Sequence, residues 1–157
     1  LMSYAKETVT EPTSPPDSHP LAGDASQLRM GVFRFARRMR TERSVDSMSD
    51  GQFAVLAGLY LHGPRTLGQL AERERVSPPS MNRTVNCLQD AGYVERSADD
   101  SDGRKVVITI TDAGRAVVDE TTRRRDAWVE TVLADVSEQE RMTLAAAAEI
   151  LQRLAAQ

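Results

Sequence analysis

A short polar segment, from Ser77 to Asn86, carries the side chains of this chain that are best suited to recognise base edges or phosphates. A helix over this segment buries its apolar positions and exposes the others, which are Pro79, Ser80, Asn82, Arg83 and Asn86. Arg fits guanine and Asn fits adenine in the major groove of DNA, and Ser hydrogen-bonds bases or phosphates. The segment therefore predicts a DNA-contacting helix, although short polar side chains also occur on ordinary helix surfaces.

A second set of candidates lies in the polar loop ADDSDG and the arginine that follows it. Arg104 is at the tip of a predicted β-hairpin, where a guanidinium can enter the minor groove and meet the negative potential of A·T-rich segments. Asp102 is on the same side of the extended chain and can hold that guanidinium or brace the turn. A hairpin tip with an Arg is more often a polar turn, and only the order of the motifs favours the DNA contact.

Two helix-start signals precede these candidates and predict the elements that position them. Thr66 is followed by Gln69, and Ser77 by Pro78 at the first helical position. The backbone amides at these two helix starts can also bind phosphate, although capping alone explains Thr66 and Ser77. The apolar residues predicted to pack the two short helices together are Leu67, Leu70, Ala71, Met81, Val85 and Leu88. The pattern is typical of a helix-turn-helix.

The runs YVERS and RKVVITI follow directly and are rich in β-formers, so they predict a hairpin after the second helix. A helix-turn-helix with an adjoining hairpin is a winged helix-turn-helix. Its second helix can lie in a major groove while the hairpin reaches the neighbouring minor groove.

Helical sequence on both sides of this region contains more apolar surface than a small winged domain buries. The C-terminal helices contain Val117, Trp128, Val132, Leu133, Leu144, Ile150, Leu151 and Leu154. A twofold partner is the economical way to cover such surface, because identical patches satisfy each other. A purely intramolecular bundle is the alternative. Residues 1–23, with four prolines in TEPTSPPDSHP, are predicted to be a flexible tail.

Composition and charge bound the function classes. The 157 residues suffice for one folded unit, and no run is long and apolar enough to span a membrane. No secretory signal is recognisable, so we expect a cytoplasmic protein with no membrane partner. The net charge is −3, and residues 65–105 contain seven basic and seven acidic side chains. That balance is weak for a DNA reader and keeps a second hypothesis open, a winged domain that acts through protein contacts alone.

Catalysis and metal binding have no support in the sequence. The two histidines, His19 and His62, lie outside any motif such as HExxH, and nothing supplies a nucleophile with its base. We expect no catalytic residue, no metal site and no cofactor. The single cysteine, Cys87, cannot form an intramolecular disulfide and is interpreted as a small packing residue.

The stretch LAERERVSPPSMNRTVNCLQDAGYVERSADDSDGRKVVITITDAG resembles the MarR-type (multiple antibiotic resistance) winged-helix regulators, and the likeness extends over about residues 25–155. The matching motifs are Leu88 to Gly92, Tyr93-Val94 with Arg96, Asp102-Gly103-Arg104, and Ile110-Thr111-Asp112-Ala113-Gly114. Two positions depart from the family pattern. Ile110 replaces the usual Leu, and Gly103 stands where a basic residue is frequent.

The resemblance implies a mainly α fold with a small β-hairpin wing, a winged helix-turn-helix plus a helical dimerisation region. It divides the chain into the tail, an N-terminal dimerisation helix in residues 24–48, the DNA-binding domain in residues 49–112, and C-terminal dimerisation helices in residues 113–157. The implied function is that of a homodimeric regulator, usually a repressor, on palindromic double-stranded DNA. The resemblance also implies a small aromatic or anionic effector that would release the regulator from DNA. The effector site would be bordered by Arg34, Arg37, Arg38 and Tyr60, for each of which surface exposure is the alternative.

Overall fold

The computed structural model describes residues 20–98, 102 and 105–156. These residues form six helices and three short strands: α1 Pro20–Met39, α2 Asp50–His62, β1 Arg65–Thr66, α3 Leu67–Arg73, α4 Pro78–Asp90, β2 Val94–Ala98, β3 Val106–Ile110, α5 Asp112–Ala134 and α6 Glu138–Ala155. The predicted mainly α fold with a hairpin wing is confirmed. Within the described ranges, every helix is too short or too polar to cross a bilayer.

The chain divides into two compact units, residues 1–36 and residues 37–157. In the first unit, α1 runs from Pro20 and exposes large apolar side chains, namely Leu28, Met30, Val32 and Phe33. The helix begins before residue 24 and ends at Met39, well before residue 48, so its limits differ from the predicted ones. Its end has a local cause, because the Thr41 hydroxyl donates to the carbonyl of Arg38 at 2.7 Å. Residues 1–19 of the predicted tail lie outside the described residues.

Side-chain caps fix where the helices of the second unit begin. Capping boxes join Ser49 to Gln52, Thr66 to Gln69 and Ser137 to Glu140. Each pairs a hydroxyl that accepts from a backbone N–H with a side chain that accepts from the N-cap N–H, which satisfies donors that a helix start leaves unpaired. Ser77 caps α4 and Thr111 caps α5. The start signals predicted at Thr66 and Ser77 are thus confirmed, since they depend on residues only three apart.

The core of this unit lies between α2, the helix-turn-helix and the sheet. Leu56, Leu59, Val85 and Leu88 have at most 1% of their surface exposed. Leu70 and Ala71 of α3 share this core with Met81 of α4, and Leu67 packs against its edge. The predicted apolar contact between the two short helices is therefore confirmed.

The sheet has one more strand than the sequence predicted. Its described strands are antiparallel in the order β1-β3-β2, with Arg65 opposite Ile108 and Thr66 opposite Val107. A two-residue strand has no periodicity to detect, and β1 exists only because β3 offers its free edge to the chain between α2 and α3. This third strand fixes the base of the wing to the start of the helix-turn-helix.

The wing is also tied to α5. Gly92 follows α4 with a φ of +79°, the left-handed conformation that favours glycine, and its carbonyl accepts from the Thr111 hydroxyl at 2.7 Å. The Thr111 N–H donates to the carbonyl of Tyr93 at 3.0 Å. At Gly114 a Cβ atom would lie 2.3 Å from that same carbonyl oxygen. The absence of a side chain at this position thus allows α5 to begin directly against the turn from α4 into β2.

Candidate nucleic-acid interface

The turn between α3 and α4 orients the predicted DNA-contacting helix. Arg75 has a φ of 54°, which is uncommon for a residue other than glycine. The N–H of Val76 donates to the carbonyl of Ala71 at 3.0 Å, which closes the turn. α4 then begins at Pro78 behind the Ser77 cap, where proline loses no hydrogen bond.

α4 has one buried and one polar face, as its sequence predicted. Met81, Val85 and Leu88 are buried in the core. The predicted contact residues occupy the other face: Pro79, Asn82, Arg83 and Asn86 are exposed, and Ser80 is half-buried. A helix held by three apolar anchors presents these polar groups in a fixed orientation, which a groove-reading element requires.

The first turn of α4 holds a small hydrogen-bonded cluster. The Ser77 hydroxyl accepts from the Ser80 N–H at 3.4 Å and lies 3.1 Å from the Ser80 hydroxyl. The Arg83 guanidinium donates to the same Ser80 hydroxyl at 3.1 Å. The Arg83 guanidinium is thereby held near the N-terminus of α4. Its positive charge and the backbone N–H groups of the helix start both favour binding of a phosphate oxygen. Thr66 is half-buried at the start of α3, where its hydroxyl accepts from the Gln69 N–H at 3.3 Å.

Arg96 of β2 belongs to one of the matching family motifs but was assigned no contact from the sequence, and it hydrogen-bonds three side chains of α4. One of its terminal nitrogens donates to Oδ1 of Asn82 at 3.2 Å and to Oδ1 of Asn86 at 2.8 Å. The other donates to Oε1 of Gln89. These three amides recur at spacings of four and three, which places them on one helix face. That spacing, with an Arg seven residues after Gln89, is the signal from which the cluster was detectable.

The wing is described only in part. β2 and β3 pair from Val94 opposite Ile110 to Ala98 opposite Val106. The side-chain carboxylate of Asp102 lies 3.7 Å from the Lys105 ammonium. The backbone carbonyl of Asp102 accepts from the backbone N–H of Lys105 at 2.9 Å. Arg104 and Gly103 lie outside the described residues, so the predicted contact between Asp102 and Arg104 stays a prediction.

The predicted effector residues are distributed over different places. Tyr60 lines an open groove of about 590 Å³ between α2 and α5, with Phe53, Ala57, Leu61, Val118, Asp119, Thr122, Arg123 and Asp126. Among the described residues, neither Arg37 nor Arg38 lines this groove. Arg38 instead donates to Thr41 and Glu42, both at 2.6 Å, and its guanidinium lies 4.9 Å from the centre of the Trp128 ring. Arg34 and Arg37 are exposed on α1.

The electrostatics of the α2–α5 seam are set by local pairs. The Tyr60 hydroxyl donates to Asp119 at 2.7 Å, and this bond to a carboxylate raises the pKa of Tyr60. Arg123 and Arg124 both donate to Glu120 and lower the pKa of its carboxyl to about 2. Burial lowers the pKa of Arg125, whose guanidinium lies 4.4 Å from the centre of the Phe53 ring.

The interpretation of Cys87 as a packing residue is wrong. Its thiol is free and exposed on α4. The apolar stripe of this helix runs through Val85 and Leu88, and the position between them points away from the core.

A helix-turn-helix whose second helix presents a polar face, followed at once by an antiparallel wing, defines a winged-helix DNA-binding protein. Comparison with known proteins makes the class specific. A model of the MarR family matches residues 48–106. The chain is 36% identical over 127 residues to an HTH-type transcriptional regulator of Mycobacterium bovis, which covers 81% of this chain and 89% of that protein.

Solved structures agree. A putative transcriptional regulator from Pseudomonas aeruginosa superposes with a TM-score of 0.79 at 28% identity, covering 88% of this chain and 98% of that one. A MarR family protein from Bacillus stearothermophilus shares the fold, with a TM-score of 0.75 at 20% identity over 87% of this chain and 96% of that one. The chain belongs to the MarR family of transcriptional regulators. This family is not one of enzymes, which confirms the interpretation against catalysis.

Proposed function

We propose that this protein is a homodimeric repressor that binds a palindromic operator and is released by a small effector. The observation that carries the DNA-binding part is the fixed polar face of α4, with Asn82, Arg83 and Asn86 exposed over a buried apolar stripe. In this proposal α4 lies in the major groove and Arg104 of the wing enters the minor groove.

Phosphate contacts complete the proposed interface. Ser77, Ser80 and Arg83 form a cluster at the start of α4 that suits a phosphate oxygen, and Thr66 presents the start of α3. Pro79 packs against the backbone of the groove. Asp102 braces the wing through its pair with Lys105.

Dimerisation is supported by the apolar surface of α6. Not one of the eighteen residues of this fully described helix is buried, yet Met142, Leu144, Ile150 and Leu154 are 46–59% exposed. A helix that exposes several large apolar side chains and buries no residue indicates an interaction surface. A twofold partner that covers it also sets two α4 helices at the spacing of a palindrome.

The effector is proposed to be a small aromatic compound in the groove beside Tyr60. The groove combines the rings of Phe53 and Tyr60 with polar groups from α5, the mixture that ligand sites usually show. Arg123 of this groove is paired with Glu120, and Asp119 and Asp126 also line it, so an aromatic effector is favoured here over an anionic one. Arg34, Arg37 and Arg38 of α1 are proposed effector contacts on the family resemblance alone.

Fluorescence anisotropy with duplexes tiled across the DNA upstream of the coding region tests this proposal. We expect saturable binding to one palindromic duplex, which Arg104→Ala weakens by about 1–3 kcal/mol. Because residues 65–105 carry equal numbers of basic and acidic side chains, the logarithm of affinity should fall with log salt more gently than the slope of about −10 of strongly electrostatic repressors. Equal binding to every duplex, or none, would favour the winged domain that acts through protein contacts.

A further inference from the structure

The contacts of Arg96 determine which atoms of the α4 amides remain for a ligand. A guanidinium has only N–H donors, so each amide that meets it must turn its oxygen toward it. Asn82 and Asn86 both accept from the same terminal nitrogen of Arg96, at 3.2 and 2.8 Å. The assignment of oxygen and nitrogen in these amides therefore follows from the chemistry of the donor.

The NH2 group of each amide is the part that is left for a ligand, because the N–H donors of Arg96 engage the oxygen and no described contact uses the nitrogen. Asn that reads adenine uses both atoms: the oxygen accepts from the 6-amino group and the nitrogen donates to N7. With the oxygen turned to Arg96, the nitrogen can donate to the acceptors that bases display, which are purine N7, guanine O6 and thymine O4.

We propose that Arg96 is a specificity-determining positioning residue, which holds Asn82 and Asn86 as hydrogen-bond donors so that α4 selects bases presenting acceptors in the major groove. This inference rests on the proposed DNA-binding function and adds to it the kind of base edge that α4 reads. Arg96 acts through the two asparagines, and its position on β2 makes the wing strand part of the reading surface of α4.

The geometry explains why the residue has to be arginine. Arg96 is half-buried on β2, opposite Ile108 of β3, and its planar guanidinium reaches both Asn82 and Gln89, two turns apart on α4. A lysine carries the same charge but presents a single nitrogen on a flexible stem, so it cannot bridge the same set. Arg96→Lys therefore separates the hydrogen-bond geometry from the charge.

The experiment compares wild type with Arg96→Lys on a duplex selected from a randomised library by the wild-type protein. In that duplex, single purines are replaced by 7-deazapurines, which lack the N7 acceptor, and single adenines by purine, which lacks the 6-amino donor. For wild type we expect about a tenfold loss with 7-deazapurine at a position read by α4, equivalent to about 1.4 kcal/mol, and no loss with purine. In Arg96→Lys the loss with 7-deazapurine should shrink and a loss with purine should emerge.

Arg65→Lys is the matched control, because it makes the same chemical change in the same sheet, on β1. Among the described residues, the Arg65 guanidinium donates to the carbonyl of the neighbouring Pro64 and to no side chain of α4. The Arg65→Lys variant should keep the wild-type response to both base analogues. In the free protein, the side-chain amide signals of Asn82 and Asn86 in ¹⁵N NMR spectra should move in Arg96→Lys and stay in Arg65→Lys.

The outcomes separate this inference from the function on which it rests. Wild-type protein that selects no sequence overturns the proposed function and the inference with it. Selective wild-type binding that Arg96→Lys reproduces, with the same response to both base analogues, overturns the inference alone. Amide signals that do not move overturn the hydrogen bonds on which it is built.

Discussion

The winged region buries most of its apolar side chains within the chain, whereas the last helix leaves its apolar side chains exposed or half-buried. Between α2 and β3, most of the large apolar residues pack against each other within the chain, and Leu56 and Leu59 are completely buried. In α6 the apolar side chains lie at helical spacing, yet all of them stay exposed or half-buried. Helices α2 and α6 both begin at capping boxes, so the local signals for a helix start do not distinguish the buried helix from the exposed one.

The difference teaches that a helix can be fully specified by its own sequence and still lack a place to pack. Caps and propensity fix where α6 begins and ends, but burial supplies most of the free energy that stabilises a short helix in water. α2 obtains that free energy within the chain. α6 must obtain it from a second surface, for which the proposed dimer is the natural source.

A matched pair of leucine truncations gives the largest effects and tests this contrast directly. Leu56→Ala should lower the free energy of unfolding by about 2–5 kcal/mol, because a fully buried side chain leaves a cavity. Leu154→Ala removes the same atoms from a residue that is 51% exposed in one chain. Its cost should depend on protein concentration, because the side chain is covered only in the dimer.

Urea denaturation at several protein concentrations measures both variants, with sedimentation to follow the mass. The loss for Leu56→Ala should be similar at every concentration at which wild type and variant are both dimeric. A Leu154→Ala variant as stable and as dimeric as wild type at all concentrations would remove α6 from the interface.

The joint between the wing and α5 predicts a smaller effect. Gly114→Ala should destabilise the protein by about 1–3 kcal/mol, because the added methyl meets the Tyr93 carbonyl oxygen, which is backbone and cannot turn aside. Gly68→Ala is the control, since no atom lies within 4 Å of its added Cβ, and it should be neutral or slightly stabilising. Thermal unfolding of the two variants checks this, and equal melting temperatures would show that α5 shifts freely.

The sequence predicted what depends on neighbours within a few residues. The cap at Thr66 needs a partner three positions away, and the buried stripe of α4 follows from helical spacing alone. What it missed depends on elements that meet in space. Strand β1 forms only because β3 lies beside it, and nothing local distinguishes its two residues from a loop.

The candidate site shows the same limit. The polar face of α4 was predicted from the positions left after the apolar ones were removed, but the state of its amides was not. The sequence offered Asn82 and Asn86 as residues that fit adenine, but it could not show that their oxygens accept from Arg96, which lies fourteen and ten residues away across the turn into β2. Cys87 was misjudged because its small size suggested packing, although its place between Val85 and Leu88 set it outside the buried stripe.

The seam between α2 and α5 gives the smallest predicted effect and adds a third kind of contact, a single polar bond at the surface. The hydrogen bond from Tyr60 to Asp119 raises the pKa of the Tyr60 phenol above its ordinary value of 10.0. Because the folded pKa lies above the unfolded one, the bond contributes stability fully below pH 10 and loses it as the pH rises through the raised pKa of Tyr60.

Asp119→Asn removes the charge that holds the phenolic proton, so the pKa of Tyr60 should fall toward its ordinary value. Asp126→Asn is the matched control, because Asp126 lines the same groove whereas the Tyr60 hydroxyl donates to Asp119. Titration by NMR of protein labelled with ¹³C-tyrosine follows Tyr60 separately, with Tyr60→Phe to assign its signal. If Asp126→Asn lowers the pKa of Tyr60 as much as Asp119→Asn does, the general negative charge of the groove sets that pKa. The hydrogen bond to Asp119 would then have no specific part in it.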